Sequence, residues 1–445
     1  GEGLLMRVVV LGGGVAGEAF LAALRREDPD AELTLVEREL VGGECSYWAC
    51  IPSKTMLRPV ELAFRSRVVP GSSARIDFAE ILAWRDEVAG KDDASQAKWV
   101  ADQDAALVRG TAEIAESGLV RVDGRELPYD HLAVATGSVA QLPPIDGLAD
   151  AGAWTSREGT SATEVPESLV VVGGGAVGCE LAQFYARVGS RVTLVQAPAT
   201  LLDRIDAEAG ELLARALSED GVDVRTSTRP DTLERVNGRF RLTCGGEQPG
   251  DVEGTHLLVA TGRHPNVDGL GLERLPVTIE RSGLRVDERL NAGENVWAAG
   301  DVTGVALFTH VGKYQGRVAA ANVAGRETRA DYRAVPAVIF TDPQIAAVGR
   351  TADPSAATAR WSIESVSRAS TYAKPKRPGF VKLFADRERG VLTGAVAVGP
   401  EAGEWLGQLT LAVRAEVPVE ILRDTIQPFP TFSEAIYFAA RELDL

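Results

Sequence analysis

Arg7-Val8-Val9-Val10-Leu11-Gly12-Gly13-Gly14-Val15-Ala16-Gly17 is the stretch that decides the fold. Arg7–Leu11 is the short apolar run expected of a strand covered on both faces in a parallel sheet. It leads straight into a G-x-G-x-x-G turn and an Ala- and Leu-rich stretch, Glu18–Arg26, that reads as a helix. A second strand, Leu33–Val36, ends at Glu37, about twenty residues past Gly17. Each residue type has a separate physical reason. Gly12 makes the turn, Gly14 lets backbone approach a pyrophosphate, Gly17 lets helix and strand pack closely, and Glu37 accepts from ribose hydroxyls.

Outward along the chain the pattern recurs. Leu169–Val172 runs into Gly173-Gly174-Gly175-Ala176-Val177-Gly178, then a helix through Ala186 and a strand Arg191–Val195. Two such units imply two dinucleotides with electrons passing between them. At the acid position the second unit carries Gln196, followed by Ala197 and Pro198, with Arg191 and Arg204 flanking the site. The choice between NADH and NADPH stays open. Two similar strand ends, Leu132–Ser138 and Leu257–Arg263, finish in small-residue turns where backbone can approach a ligand; taken singly, either is equally a plain exit into a loop. Asp301, just past the apolar Val296–Ala299, suits hydrogen bonding to a polyol chain or capping of a helix over Lys313–Val323. Beyond about residue 333, Val335–Phe340, Val381–Phe384 and Leu392–Val398 alternate with helical stretches such as Glu401–Arg414, and no glycine turn recurs. This reads as an α+β domain.

The composition, 45% hydrophobic and 25% charged, is that of an ordinary soluble globular protein, and 445 residues are too many for one core. A formal charge of −16 argues against nucleic acid and anionic membranes as partners. No apolar stretch reaches membrane-spanning length. Residues 1–5 read as an addition ahead of a native start at Met6, without the features of a secretory signal. The expected location is the cytoplasm, where a disulfide serves catalysis or sensing more often than architecture.

Two of the four cysteines, Cys45 and Cys50, lie in Gly42-Gly43-Glu44-Cys45-Ser46-Tyr47-Trp48-Ala49-Cys50-Ile51-Pro52-Ser53-Lys54. A regular helix would hold them roughly 7.5 Å apart along its axis. A disulfide needs Cα atoms within about 6.8 Å, so a bond here requires a distorted turn. So short a loop makes a poor staple, which favours a redox role. The plainer reading is two buried cysteines that never bond.

Together these segments resemble the pyridine nucleotide–disulfide oxidoreductases, the family of lipoamide dehydrogenase, glutathione reductase and mercuric reductase. The resemblance implies two doubly wound Rossmann-like α/β domains and a C-terminal α+β dimerisation domain in a homodimer. The expected segments are an FAD domain at 6–150 that returns at 273–332, an NAD(P)H domain at 151–272 and an interface domain at 333–445. By resemblance FAD is held by Gly12, Gly14, Gly17, Glu37, Arg38, Gly43, Lys54, Ala135, Thr136, Gly137, Gly262 and Asp301. NADH or NADPH is held by Gly173, Gly175, Ala176, Val177, Gly178, Glu180 and Gln196. Cys45 and Cys50 resemble the redox-active disulfide, with Cys50 next to the flavin and Cys45 attacking substrate. Lys54 resembles the lysine near the flavin, and Glu180 its ion-pair partner. Phe340-Thr341-Asp342-Pro343 opens the segment resembling the dimerisation domain. No metal site is expected.

The tail departs from the family pattern. Disulfide-reducing members place a catalytic His just before Pro-Thr, oriented by a Glu. Here Phe429 stands before Pro430-Thr431, Glu434 is kept, and the four histidines are His131, His256, His264 and His310. The usual proton shuttle, worth about 10²–10⁴-fold, is therefore missing. Tyr47 and Trp48, with Phe429 and Phe432 from the partner, would suit an aromatic mouth for a flat acceptor such as a quinone; an alternative gives Tyr47 the missing proton, and the plainer reading packs these rings inside. The terminal Glu442-Leu443-Asp444-Leu445 lacks the metal-delivering cysteines of mercuric reductase. The expected activity is NAD(P)H-dependent reduction of a small disulfide-type substrate, with direct quinone reduction from flavin as the alternative and a non-catalytic redox sensor as a third.

Overall fold

The computed structural model describes residues 5–445; residues 1–4, most of the segment read as an addition before Met6, lie outside the described residues. The chain divides into two compact units. One comprises residues up to Pro52, Asp86–Gln141 and Arg263–Asp331; the other comprises Ser53–Arg85, Leu142–Gly262 and Tyr332–Leu445.

In the first unit, Arg7–Leu11 lies in the interior of a six-stranded sheet. It pairs in parallel with Glu32–Glu37 on one side and His131–Val134 on the other. Because side chains alternate across a strand, Val8 and Val10 face Phe20, Leu21 and Leu24, whereas Val9 and Leu11 face Ile114, Val120 and Leu127. Burial on both faces is why this strand reads as an unbroken apolar run. The helix Val15–Glu27 packs against a 15-residue helix, Thr309–Val323, through small residues. A Cβ at Gly316 would come within 2.5 Å of the Ala16 carbonyl oxygen, so only glycine permits this approach. That contact brings the start of Thr309–Val323 to the first glycine turn. An antiparallel sheet of Ala112–Glu116, Leu119–Val122 and Arg125–Pro128, not anticipated from the sequence, covers the other face.

The second unit repeats the device. Ser168–Val172 sits between Arg191–Val195 and His256–Val259 in a parallel four-stranded sheet. Leu169 and Val171 face Phe184, Tyr185 and Leu213, and Val170 and Val172 face Phe240 and Leu242. The helix Cys50–Ser66 buries Met56, Leu57 and Val60 in this unit's core, which is why Ser53–Arg85 groups here and not with the N-terminal segment. The C-terminal segment forms a five-stranded antiparallel sheet backed by Ala402–Arg414 and Glu434–Arg441. Among the described residues no helix is long and apolar enough to cross a membrane.

Candidate active site

The first glycine turn is closed by packing and by one carboxylate. A Cβ at Gly17 would lie 2.1 Å from the Gly12 carbonyl oxygen, so the helix can start where it does only without a side chain. Glu37 Oε2 accepts from Gly13 N at 2.7 Å, and Oε1 accepts from Glu39 N at 2.7 Å. Each oxygen keeps a further lone pair for a ribose hydroxyl. Gly14, the residue before the helix, lies against Gly43, whose Cβ would come 2.7 Å from the Gly14 Cα. Arg38 is exposed and has no ion pair among the described residues. Asn266 ties down the Ala135-Thr136-Gly137 turn: it accepts from Thr136 Oγ1 at 2.7 Å and donates to the carbonyls of Thr136 and Gly137 at 2.9 Å. Asp301 accepts from Ser138 Oγ at 2.6 Å, and Arg263 donates to the same hydroxyl at 2.7 Å. Asp301 does not cap Thr309–Val323; Phe308 holds that position. A helix N-terminus, an acid with spare acceptors and a second carboxylate beyond a neighbouring strand end are the donor and acceptor set that FAD requires.

At the second turn Gln196 does what Glu37 does at the first. Its Oε1 accepts from Gly174 N at 2.8 Å, and the side chain is buried. Gly175 precedes the helix Ala176–Arg187, and a Cβ there would meet nothing within 4 Å, which leaves an open cradle at the positive end of the helix. Val177, in the first turn of that helix, is exposed. A Cβ at Gly178 would lie 1.9 Å from the Gly173 carbonyl oxygen. Gly262 follows the neighbouring strand His256–Val259, and the Ala260 carbonyl beside it closes over Gly173. The cradle fits NAD(P)H. Arg191, expected to flank the site, stands at the opposite end of its strand and pairs with Glu167, so it has no part in nucleotide choice. Arg204 is exposed in the turn after Leu202.

The dithiol segment meets the distortion anticipated for it. A short helix, Gly43–Tyr47, ends at Trp48, and a new one begins at Cys50, so the two cysteines flank a helix break. Both are thiols here. Thr309 Oγ1 donates to Cys45 Sγ at 3.0 Å and lies 3.6 Å from Cys50 Sγ. The hydrogen bond to Cys50, then burial, then the charge on Cys50 push the Cys45 thiol far up, while Thr309 pulls it down. The segment is pinned at Val41. Asp93 Oδ2 accepts from Val41 N at 2.7 Å while pairing with Arg109, and Tyr47 donates its hydroxyl to the Val41 carbonyl at 2.8 Å. Tyr47 is only 4% exposed, and burial followed by nearby acids pushes its phenol up to about 12. Its hydroxyl is committed to the Val41 carbonyl, so Tyr47 pins this segment.

In the second unit Lys54 Nζ pairs with Glu180 Oε2 at 2.7 Å. Glu180 is buried, and its other oxygen accepts from Phe340 N at 2.9 Å. Lys54 also sits 4.9 Å from the Phe340 ring centroid. In the tail, Glu434 opens the last helix and accepts from Thr431 N at 3.2 Å. Phe432 is buried against Tyr372, so it forms no mouth, whereas Phe429 is 73% exposed and Ile426 95%. Sequence reasoning placed Thr309 in no site, and it read Ser138 and Arg263 only as the ends of turns after apolar strands, with no side-chain role. Their signal is chemical: a hydroxyl or guanidinium within a few residues of a glycine turn or helix start.

Comparison with known proteins agrees with this geometry. Residues 6–328 match the family described as pyridine nucleotide-disulphide oxidoreductase, and residues 335–440 match its dimerisation domain, which supports a homodimer. The mercuric reductase of Acidithiobacillus ferrooxidans is 36% identical over an alignment of 464 positions, covering 99% of this chain and 83% of that protein. The dihydrolipoyl dehydrogenase of Thermus scotoductus is 33% identical, covering 98% and 97%. Among solved structures, LpdA from Mycobacterium tuberculosis superposes with a TM-score of 0.88 at 29% identity over 98% of this chain and 99% of that one. The HOCl-induced flavoprotein disulfide reductase RclA from Escherichia coli does so with 0.86 at 25% over 98% and 100%. With two nucleotide turns, a cysteine pair at a helix break and matches along nearly its whole length, the chain belongs to the pyridine nucleotide–disulphide oxidoreductases, FAD-dependent enzymes that draw electrons from NAD(P)H.

Proposed function

We propose that the enzyme reduces a small disulfide-type substrate by thiol–disulfide exchange at Cys45 and Cys50, without a histidine from the C-terminal segment. The observation that carries this reading is the cysteine pair across the break at Trp48, with Thr309 within hydrogen-bonding range of both sulfurs. The chemistry supplied by the bound nucleotides is transfer of two electrons from reduced nicotinamide, by way of FAD, to the Cys45–Cys50 disulfide. The protein's own steps follow. The Cys45 thiolate attacks one sulfur of the substrate disulfide, a Cys45–substrate bond forms, and the other half leaves as a thiolate that takes a proton from solvent. The Cys50 thiolate then attacks Cys45, restores the Cys45–Cys50 bond and releases the second half, which is also protonated. One NAD(P)H and one proton are consumed for two thiols formed. Gly12, Gly14, Gly17, Glu37, Gly43 and Asp301 hold FAD in this reading, Gly173 to Gly178 and Gln196 hold the nicotinamide nucleotide, and Glu180 orients Lys54. Glu434, bonded to its own Thr431, acts as a helix-start residue.

A second reading is direct reduction of a flat acceptor such as a quinone. It is favoured by the exposed Leu307 and Phe308, which immediately precede Thr309, with the Phe308 ring stacked on His310 at 5.2 Å. The test is anaerobic titration of the purified protein with NADH and with NADPH, joined to turnover of the Cys45→Ser variant. A long-wavelength absorption band after two electrons, and loss of disulfide reduction in the variant, support thiol exchange. No such band, with acceptor reduction intact in the variant, sinks it in favour of the quinone reading.

A further inference from the structure

We infer that Thr309 is a positioning residue that passes one shared proton between Cys50 and Cys45 and so decides which sulfur is the nucleophile. This rests on the thiol-exchange reading above and deepens it. A hydroxyl has one proton to give and two lone pairs with which to accept. Thr309 Oγ1 gives its proton to Cys45 Sγ at 3.0 Å, and its lone pairs face Cys50 Sγ at 3.6 Å. The order Cys50 S–H, Thr309 O–H, Cys45 S⁻ leaves the charge on Cys45, the attacking sulfur. Reversing both protons leaves it on Cys50. No proton is gained or lost, so the relay needs no external base to change which thiol is ionised.

Three further observations support this. The two sulfurs cannot both ionise cheaply, because the hydrogen bond to Cys50, burial and the charge on Cys50 push the Cys45 thiol up, while the Thr309 hydroxyl pulls it down. Thr309 is the first residue of the helix Thr309–Val323, whose positive end stabilises negative charge. Finally, charged and titratable groups on the elements meeting there have other contacts; Lys54, on the helix that Cys50 begins, pairs with Glu180 at 2.7 Å. Glu44 is directed to Arg263 at 3.8 Å, Lys313 acts on Glu18, and His310 is exposed with its ring on Phe308.

The test is iodoacetamide alkylation of Cys45 in the dithiol-reduced, FAD-loaded protein, followed peptide by peptide against pH, in wild type, Thr309→Val and Thr309→Ser. Valine keeps the shape and removes the hydroxyl. A hydrogen bond to a charged sulfur is strong enough that Thr309→Val should slow alkylation of Cys45 at neutral pH about tenfold and move its midpoint up by about one unit. Serine should restore the wild-type profile. Flavin absorbance and thiol count verify folding, and if valine fails to fold, serine against Thr309→Ala gives the same contrast. An unchanged profile without the hydroxyl overturns the inference. The alkylation readout needs no turnover, so it is independent of Cys45→Ser: survival of disulfide reduction in that variant would remove the exchange reading itself.

Discussion

The two glycine turns of this molecule are built on one plan and finished with different chemistry. Both have a strand buried on two faces, a glycine whose missing side chain admits a carbonyl at about 2 Å, and a loop N–H bonded to a side chain from the end of the next strand. In the first turn that side chain is the carboxylate of Glu37; in the second it is the amide of Gln196. The bond lengths, 2.7 and 2.8 Å, are nearly the same. The loop itself therefore needs only an acceptor, which a carboxylate and an amide supply equally well. The first turn also carries what the second lacks, a second glycine segment leading to the cysteine pair.

Breaking the shared plan should have the largest effect. Gly17→Ala and Gly178→Ala each drive a Cβ into a carbonyl oxygen, and each should cost its own unit about 3 kcal/mol or more. Flavin content and thermal melts separate them: Gly17→Ala should lose FAD, and Gly178→Ala should keep FAD but bind NAD(P)H poorly. Loss of FAD from both would show that the two turns are not independent. Exchanging the finishing chemistry comes next. Glu37→Gln keeps the bond from Gly13 N, so stability without cofactor should hold, while the FAD dissociation constant rises about tenfold for the lost charged acceptor. The reverse exchange, Gln196→Glu, should raise the kcat/KM preference for NADH over NADPH about tenfold, because a carboxylate accepts from a ribose diol and repels a 2′-phosphate. An unchanged ratio would place nucleotide choice elsewhere, with exposed Arg204 the next residue to replace. The smallest effect should come from the cysteine segment that only the first turn carries. Tyr47→Phe removes one buried hydrogen bond and should cost about 1 kcal/mol, with disulfide turnover largely retained. Abolished turnover would restore Tyr47 as a proton donor.

Much of this was legible in the linear chain. Glycine turns announce themselves because the backbone tolerates no other residue there, and two-face burial demands an unbroken apolar run. Both constraints are local, so Gly12 to Gly17, Gly173 to Gly178 and the flanking strands could be read directly. Glu37 and Gln196 follow from the fixed length of a strand–helix–strand unit, and the break between Cys45 and Cys50 from the reach of a disulfide.

The tertiary structure alone decided which side chains meet when the chain returns to itself from far away. Nothing near Cys45 in sequence specifies Thr309, which arrives 264 residues later because Gly316 lets one helix lie against another. The same holds for Ser138 with Arg263 and Asp301, whereas the pairing of Lys54 with Glu180 was already expected from the family resemblance. Tyr47 and Phe432 show the converse. An aromatic ring near reactive cysteines or in a proline-rich tail reads as a candidate for the substrate face, but its orientation is set by the space that packing leaves. Both rings turned inward, Tyr47 onto the Val41 carbonyl and Phe432 onto Tyr372. Periodicity and turn chemistry are properties of neighbouring residues, whereas proximity between distant ones is a property of the folded chain.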